Sequence, residues 1–167
     1  MKTTYRLTIM AMLIAIGTLG SHLLWIPAGV AKAYPVQHAV NVVSAVLLGP
    51  GPAMMVAFAI GLLRNMLGVG TLLAFPGGII GAFLAGYFYR KKEKTWVAAT
   101  GEIIGTGLIG SIVAVPIANL LMGTPAGAFA FVLPFLVSSA VGAVIAIVIL
   151  LKVPIFRLKQ NLLDLKK

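Results

Sequence analysis

Residues 129–151 read FAFVLPFLVSSAVGAVIAIVILL, a run of 23 residues without a charged side chain. A helix needs about 20 mostly apolar residues to cross the hydrocarbon core of a bilayer, so this run predicts a membrane span. The whole chain has the same character, since 60% of its 167 residues are hydrophobic and 10% are charged. A soluble domain carries about 25% charged residues. The length therefore predicts one membrane domain, 1–167, without a sizeable soluble part.

Five further apolar segments precede this run. Pro27 ends the first, and the GPGP sequence at 49–52 separates the second from the third, because proline cannot continue a helix and glycine permits positive φ. The second and third segments are short for full spans, so this pair either begins in the headgroup region or dips into the membrane without crossing it. We predict an all-α bundle of six transmembrane helices at 7–26, 36–49, 53–67, 71–89, 95–122 and 129–151, followed by a basic tail at 152–167.

The basic residues are clustered. A net charge of +10 could indicate a nucleic-acid partner. However, 11 of the 13 lysines and arginines lie before the first apolar segment, in the loop 90–94 or in the tail. Such clustering is typical of cytoplasmic loops in membrane proteins. With six helices, all three clusters fall on one side. The pattern therefore predicts cytoplasmic termini, the lipid bilayer as surroundings, and no nucleic-acid partner.

Both chain ends contain a further local pattern. Basic residues before the first apolar segment, with AKA at 31–33, resemble a signal peptide and its cleavage site. The segment 7–26 is longer than a usual signal core, so we expect no cleavage. In the tail, Pro154 can open a short interfacial helix whose apolar face comprises Ile155, Leu158, Leu162 and Leu165.

Polar side chains are expensive at membrane depth, and here most of them gather at the predicted outer helix ends. Their aromatic faces, amides and guanidinium suit a small, flat heteroaromatic ligand with one or two hydrogen-bonding groups. Some also fit a simpler interpretation, since His22 and Trp25 suit the membrane interface and Lys32 suits a solvated loop. The outer group contains His22, Trp25, Lys32, Tyr34, Gln37, His38, Asn41, Arg64, Asn65, Thr71, Phe75 and Asn119.

Glu102 is the only acidic residue within a predicted span, near the inner end of the fifth helix. Three roles are open for it: an ion pair with Arg64, a proton-coupling role, or a structural bond to a neighbouring helix. The second role would suit a stand-alone proton-coupled secondary transporter of a small heteroaromatic compound, which is the alternative function that the sequence allows.

Small residues recur at four-residue spacing, which lets membrane helices approach closely. The pairs Gly77/Gly81, Gly101/Gly105 and Ser138/Gly142 are typical of packing within the bundle. Ala11 and Ala15 in the first helix are also compatible with docking onto another membrane subunit.

Several classes of activity lack their sequence signals. There is no cysteine, no G-x-x-x-x-G-K-[ST] phosphate-binding loop and no H-E-x-x-H metal motif. We find no nucleophile, metal set or acid–base pair for catalysis, so we expect no enzyme activity, no metal and no cofactor. If the chain serves active transport, the energy is expected to come from partners.

Five motifs together resemble one family over nearly the whole chain. They are YPVQHAVNVV at 34–43, LLGP at 47–50, RNMLG at 64–68, GTLLAFPG at 70–77 and GEIIGTG at 101–107. In order and spacing they resemble ThiW, the thiazole-specific S component of energy-coupling factor (ECF) transporters.

The resemblance implies a six-helix S component in the plasma membrane of a prokaryote. Such a protein captures a vitamin precursor outside, beneath its first loop, and then docks on a transmembrane coupling subunit driven by two cytoplasmic ATPases. The implied ligand is hydroxyethylthiazole, the thiazole half of thiamine. The implied docking face is the small-residue pair of the first helix, matched here by Ala11 and Ala15. Joining this resemblance to the polar pattern, we expect the substrate site to comprise Tyr34, His38, Asn41, Arg64, Asn65, Phe75, Glu102 and Asn119.

Overall fold

The apolar segments fold into six helices in a computed structural model that describes residues 3–29 and 31–153. Three of the helices, α1, α5 and α6, are long and apolar enough to cross a membrane. The prediction of an all-α membrane bundle is confirmed. The cytoplasmic location of the termini remains a prediction, and the tail helix predicted from Pro154 lies outside the described residues. The helices are α1 Thr3–Leu23, α2 Pro35–Leu48, α3 Pro50–Met66, α4 Ala74–Lys92, α5 Thr95–Leu121 and α6 Val132–Lys152.

The distribution of side chains is that of a membrane bundle. Large apolar residues such as Leu19, Leu133 and Leu151 are exposed on the outside. The principal core cluster is instead rich in alanine from the five helices α2 to α6, and small side chains allow membrane helices to pack closely. Buried polar side chains lie inside the bundle. Four serines bond to carbonyl oxygens of their own helices: Ser21, Ser44, Ser111 and Ser139. The others make hydrogen bonds between different elements: Gln37, His38, Asn41, Arg64, Glu102, Thr106 and Ser138.

Proline and glycine set the boundary between α2 and α3. Gly49 alone joins the two helices, with φ 87°, a left-handed conformation that glycine adopts without steric cost. Helix α3 begins at Pro50, three residues before the predicted start at 53. The reason is that backbone N–H groups in the first turn of a helix make no intrahelical hydrogen bonds, so Pro50 and Pro52, which lack this group, fit there.

The first loop is more ordered than predicted, because it contains a small antiparallel hairpin. Its strands are β1, Ile26–Ala28, and β2, Ala31–Ala33, with Pro27 opposite Lys32. The backbone N–H of Tyr34, which follows β2, donates a hydrogen bond of 2.7 Å to the Ser138 hydroxyl oxygen. This bond ties the end of the hairpin to α6.

Helix α5 contains two π-helical stretches, Ile103–Gly110 and Ile117–Leu121. The first stretch packs directly on α4. A methyl group added at Gly105 would lie only 2.7 Å from the Gly81 Cα, which shows how closely the two backbones approach. Such widened turns are frequent at functional sites. The glycine and serine pairs on α4, α5 and α6 are all buried in the bundle, whereas Ala11 and Ala15 are exposed on α1.

The connections divide the bundle into two ends. Gly49 lies beside the Arg90 side chain, so the α2–α3 turn and the basic loop after α4 share one end. The hairpin, the α3–α4 loop and the α5–α6 loop follow the opposite ends of their helices. We call this opposite end the hairpin end.

Candidate functional site

A cavity of about 570 Å³ opens at the hairpin end of the bundle, and all six helices contribute to its wall. This volume lies within the range of about 300–1,000 Å³ that is typical of small-molecule sites. Four aromatic side chains line it: Trp25, Tyr34, Phe131 and Phe135. The wall also contains four basic residues and several neutral polar ones: His22, Lys32, His38, Arg64, Ser21, Gln37, Thr71, Thr106, Thr124 and Ser138.

A hydrogen-bond network centred on Glu102 closes the inner end of this cavity. The carboxylate is fully buried, and its Oε1 receives hydrogen bonds from His38 Nδ1 at 2.7 Å and Asn41 Nδ2 at 3.0 Å. The Thr106 hydroxyl lies 2.9 Å from Oε1 and 2.8 Å from the carbonyl oxygen of Gly77, and its one proton can serve either acceptor. The network joins α2, α4 and α5. It realises one of the three roles open for Glu102, the structural bond to a neighbouring helix.

His38 connects this network to the cavity. His38 is 7% exposed and lies on the cavity wall, with Nδ1 directed at the Glu102 carboxylate. With the Glu102 carboxylate as the acceptor, Nδ1 is the donor of this hydrogen bond. The second ring nitrogen, Nε2, then remains for a ligand. A neutral imidazole held in this tautomer presents an acceptor at Nε2.

Arg64 lies on the wall near the α3–α4 loop and is only 2% exposed. Its guanidinium carbon is 3.7 Å from the centroid of the Tyr34 ring, a cation–π contact. It donates hydrogen bonds to Gln37 Oε1 and to the carbonyl oxygen of Val69, the latter at 3.3 Å. The ion pair with Glu102 that the sequence left open is not formed, since Glu102 bonds to α2 instead.

The other predicted site residues surround the cavity without being on its wall. Asn41 lies in the Glu102 network, and Phe75 packs on Phe58 with ring centroids 5.5 Å apart. Asn65 donates to the carbonyl oxygens of Gly61 and Thr71, at 2.8 and 3.0 Å, and thereby holds the α3–α4 loop.

Asn119 has the same kind of role at the α5–α6 loop. Its Nδ2 donates to the Ala126 carbonyl at 3.2 Å, and its Oδ1 accepts from the Ala126 N–H at 2.7 Å. The structure thus brings Tyr34, His38 and Arg64 together on one wall. The participation of all eight predicted residues in binding stays a prediction.

Gln37 belongs to the outer polar group found in the sequence, but it was not included among the eight residues expected at the substrate site. It is 1% exposed, lines the cavity and accepts the hydrogen bond of Arg64. The position of this amide beside His38 in an apolar helix could have indicated a role in the cavity, because a polar group at membrane depth needs a hydrogen-bond partner. Phe131 and Phe135 offered no such signal, since aromatic residues in an apolar helix also suit a lipid-facing surface.

Comparison with known families identifies the kind of protein. The family model described as thiamine-precursor transporter protein (ThiW) matches residues 7–155. The chain belongs to the ThiW family. This confirms the resemblance drawn from the five motifs, all of which lie within the matched range. No curated protein matches the chain. The ThiW family is one of membrane transporters, so the cavity at the hairpin end is the natural candidate for the small-molecule site of this ThiW protein.

Proposed function

We propose that this ThiW protein is the substrate-capture component of an ECF-type importer. In this proposal it binds hydroxyethylthiazole at the extracellular side of a prokaryotic plasma membrane. A transmembrane coupling subunit and two cytoplasmic ATPases then drive delivery into the cell. The observation that carries the proposal is the cavity at the hairpin end, where aromatic faces and hydrogen-bonding groups surround a volume suited to one small ring.

The side chains of the wall fit both the aromatic ring and the hydroxyl group of a thiazole alcohol. Tyr34 and Trp25 present flat faces on which a heteroaromatic ring stacks. His38 Nε2, as an acceptor, suits the ligand hydroxyl, whose proton is the one donor that hydroxyethylthiazole offers. Gln37 and Ser138 lie on the same wall and have donors for the ring nitrogen.

The charge distribution supports the orientation. The basic residues Arg90, Lys91, Lys92 and Lys94 lie at the end of the bundle opposite the cavity. By the preference of basic loops for the cytoplasm, the hairpin end then faces the outside. Capture from outside is the step that a substrate-binding component performs.

The outward face of α1 supports docking to a coupling subunit. Ala11 and Ala15 are exposed on successive turns, next to exposed Met12, Ile16 and Leu19. Two small side chains one turn apart permit the close helix approach on which association in a bilayer depends.

Direct binding by the purified protein tests the ligand. Isothermal titration calorimetry in detergent should show binding of hydroxyethylthiazole and weaker or no binding of thiamine and of hydroxymethylpyrimidine. The doubly substituted variant His38→Ala/Arg64→Ala should lose binding, whereas Lys92→Ala/Lys94→Ala at the opposite end should retain it. Binding of the pyrimidine or thiamine in place of the thiazole would refute the ligand assignment.

Uptake in a host lacking coupling ATPases tests the transport class. We expect no accumulation of the thiazole until the coupling subunit and ATPases are supplied. Accumulation by the chain alone, abolished by a protonophore, would instead establish a proton-coupled secondary transporter with Glu102 as the candidate proton carrier.

A further inference from the structure

Arg64 is a buried cation whose described partners are all neutral. Its guanidinium donates to the Gln37 amide oxygen and the Val69 carbonyl, and it stacks on the Tyr34 ring. Its Nε has no hydrogen-bond partner. Across residues 3–29 and 31–153, the only carboxylate within 4 Å of a basic side chain is that of Glu102, beside His38, so no described carboxylate neutralises Arg64.

Such an arrangement is costly without a ligand. Moving a charge from water into a low-dielectric interior is unfavourable unless an opposite charge compensates it. Cationic side chains inside membrane bundles accordingly mark substrate sites or pair with acids. Because Arg64 lines the cavity, the missing negative charge can come from a molecule bound there.

The rest of the cavity wall also carries positive charge and no negative charge among the described residues. Lys32 also lines the cavity, with its Nζ 4.2 Å from the centroid of the Trp25 ring. The chain has only three acidic residues. Glu102 is buried beneath the wall and bonded to α2, Glu93 is exposed at the other end of the bundle, and Asp164 lies outside the described residues.

We propose that the part of the cavity beside Arg64 is an anion subsite, that Lys32 adds to the positive charge of the wall, and that the precursor captured there carries a phosphate monoester. This inference rests on the proposed capture function and narrows its substrate class to a phosphorylated heteroaromatic alcohol. Arginine suits this task, because its planar set of N–H donors matches phosphate oxygens. Tyr34 and Gln37 hold the guanidinium plane in place, so little mobility is lost when the phosphate binds.

Titration calorimetry with two matched pairs of ligands tests the subsite in the purified chain. One pair is hydroxyethylthiazole and its phosphate monoester, and the other is hydroxymethylpyrimidine and its phosphate monoester. We expect the thiazole phosphate to bind about 10- to 100-fold more tightly than the alcohol, the gain typical of a buried charge-assisted hydrogen bond. Raising the salt concentration should reduce the preference only slightly, because a buried pair is poorly screened.

Variants assign the preference to Arg64. Arg64→Gln should abolish it, Arg64→Lys should retain part of it, and Lys92→Gln, the same loss of charge at the opposite end, should leave it unchanged. The comparison of alcohol with phosphate in the unaltered protein stands even if an Arg64 variant fails to fold.

The possible results separate this inference from the proposed function. Equal or tighter binding of the thiazole alcohol would overturn the anion subsite and leave the capture of the thiazole intact. A phosphate preference confined to the pyrimidine pair would support the subsite and overturn the thiazole assignment. Binding of none of the four compounds would overturn both.

Discussion

His38 and Glu102, on helices α2 and α5, are 64 positions apart in the sequence, yet His38 Nδ1 lies 2.7 Å from Glu102 Oε1. This bond sits where the cavity ends and the packed interior begins. Oε1 also accepts a hydrogen bond from the Asn41 amide, so this one buried oxygen fixes the spacing of the two helices and the orientation of the His38 ring. We therefore expect Glu102 to affect a ligand through His38, as a positioning residue, since Glu102 does not line the cavity itself.

Replacing Glu102 by glutamine should both destabilise the protein and weaken binding. Hydrogen bonds to a charged group contribute about 1.5–3 kcal/mol and those between neutral groups about 0.5–1.5 kcal/mol, so the neutral amide loses the difference. We expect a lower unfolding temperature and a loss of affinity for the thiazole ligand. Thermal unfolding and calorimetry of Glu102→Gln measure the two effects.

Glu93→Gln is the matched control, because Glu93 is exposed at the end of α4. It should change stability by no more than about 0.5 kcal/mol. Wild-type affinity and unfolding temperature in Glu102→Gln would contradict the positioning role.

The aromatic ring of Tyr34 should matter more than its hydroxyl. The Arg64 guanidinium lies 3.7 Å from the ring centroid, and a cation–π contact contributes about 0.5–2 kcal/mol. Tyr34→Phe should therefore bind the ligand nearly as well as wild type, whereas Tyr34→Leu should bind about 2- to 30-fold more weakly. Calorimetric affinities of the two variants decide the matter, and equal affinities would rule out a contribution from the ring.

A methyl group at Gly81 should disturb the Glu102 network. An added Cβ would lie 2.6 Å from Glu102 Oε2 and 2.8 Å from its carboxyl carbon, closer than real contacts allow. Overpacking of a tight interior costs about 1–3 kcal/mol, so Gly81→Ala should lower the unfolding temperature.

Gly51→Ala provides the comparison, since nothing lies within 4 Å of a Cβ at that position in α3. That variant should be as stable as wild type or slightly more stable, because alanine restricts the unfolded chain. Equal unfolding temperatures for the two variants would show that α4 and α5 separate easily at Gly81.

Bulky residues on the outer face of α1 should separate transport from binding. Under the docking proposal, Ala11→Leu/Ala15→Leu blocks close approach of the coupling subunit, so uptake should be lost while calorimetric affinity is retained. Val144→Leu/Val148→Leu adds bulk to two exposed α6 positions with the same spacing and should preserve uptake. Normal uptake by the α1 variant would exclude this face as the docking surface.

Part of the site was predictable because its signals are local. Tyr34, His38 and Arg64 are polar or aromatic residues at helix ends beside apolar segments, and all three line the cavity. Asn65 and Asn119 gave the same local signal, but their amides bond to the backbone of the adjoining loops. Sequence spacing cannot distinguish a side chain that faces a ligand from one that holds a loop, because both roles need a polar group at a helix end.

The amino-acid sequence alone establishes the membrane surroundings, the all-α class and the family, since apolar composition, Pro–Gly boundaries and linear motifs are properties of neighbouring residues. Only tertiary packing decides that Glu102 accepts hydrogen bonds from His38 and Asn41. It likewise decides that the Gln37 amide oxygen accepts a hydrogen bond from Arg64, and that Arg64 has no acidic partner among the described residues. These relationships join helices far apart in the chain. The physical reason is that the packing of the helices determines which side chains lie next to a buried charge, and a local sequence pattern contains no information about that packing.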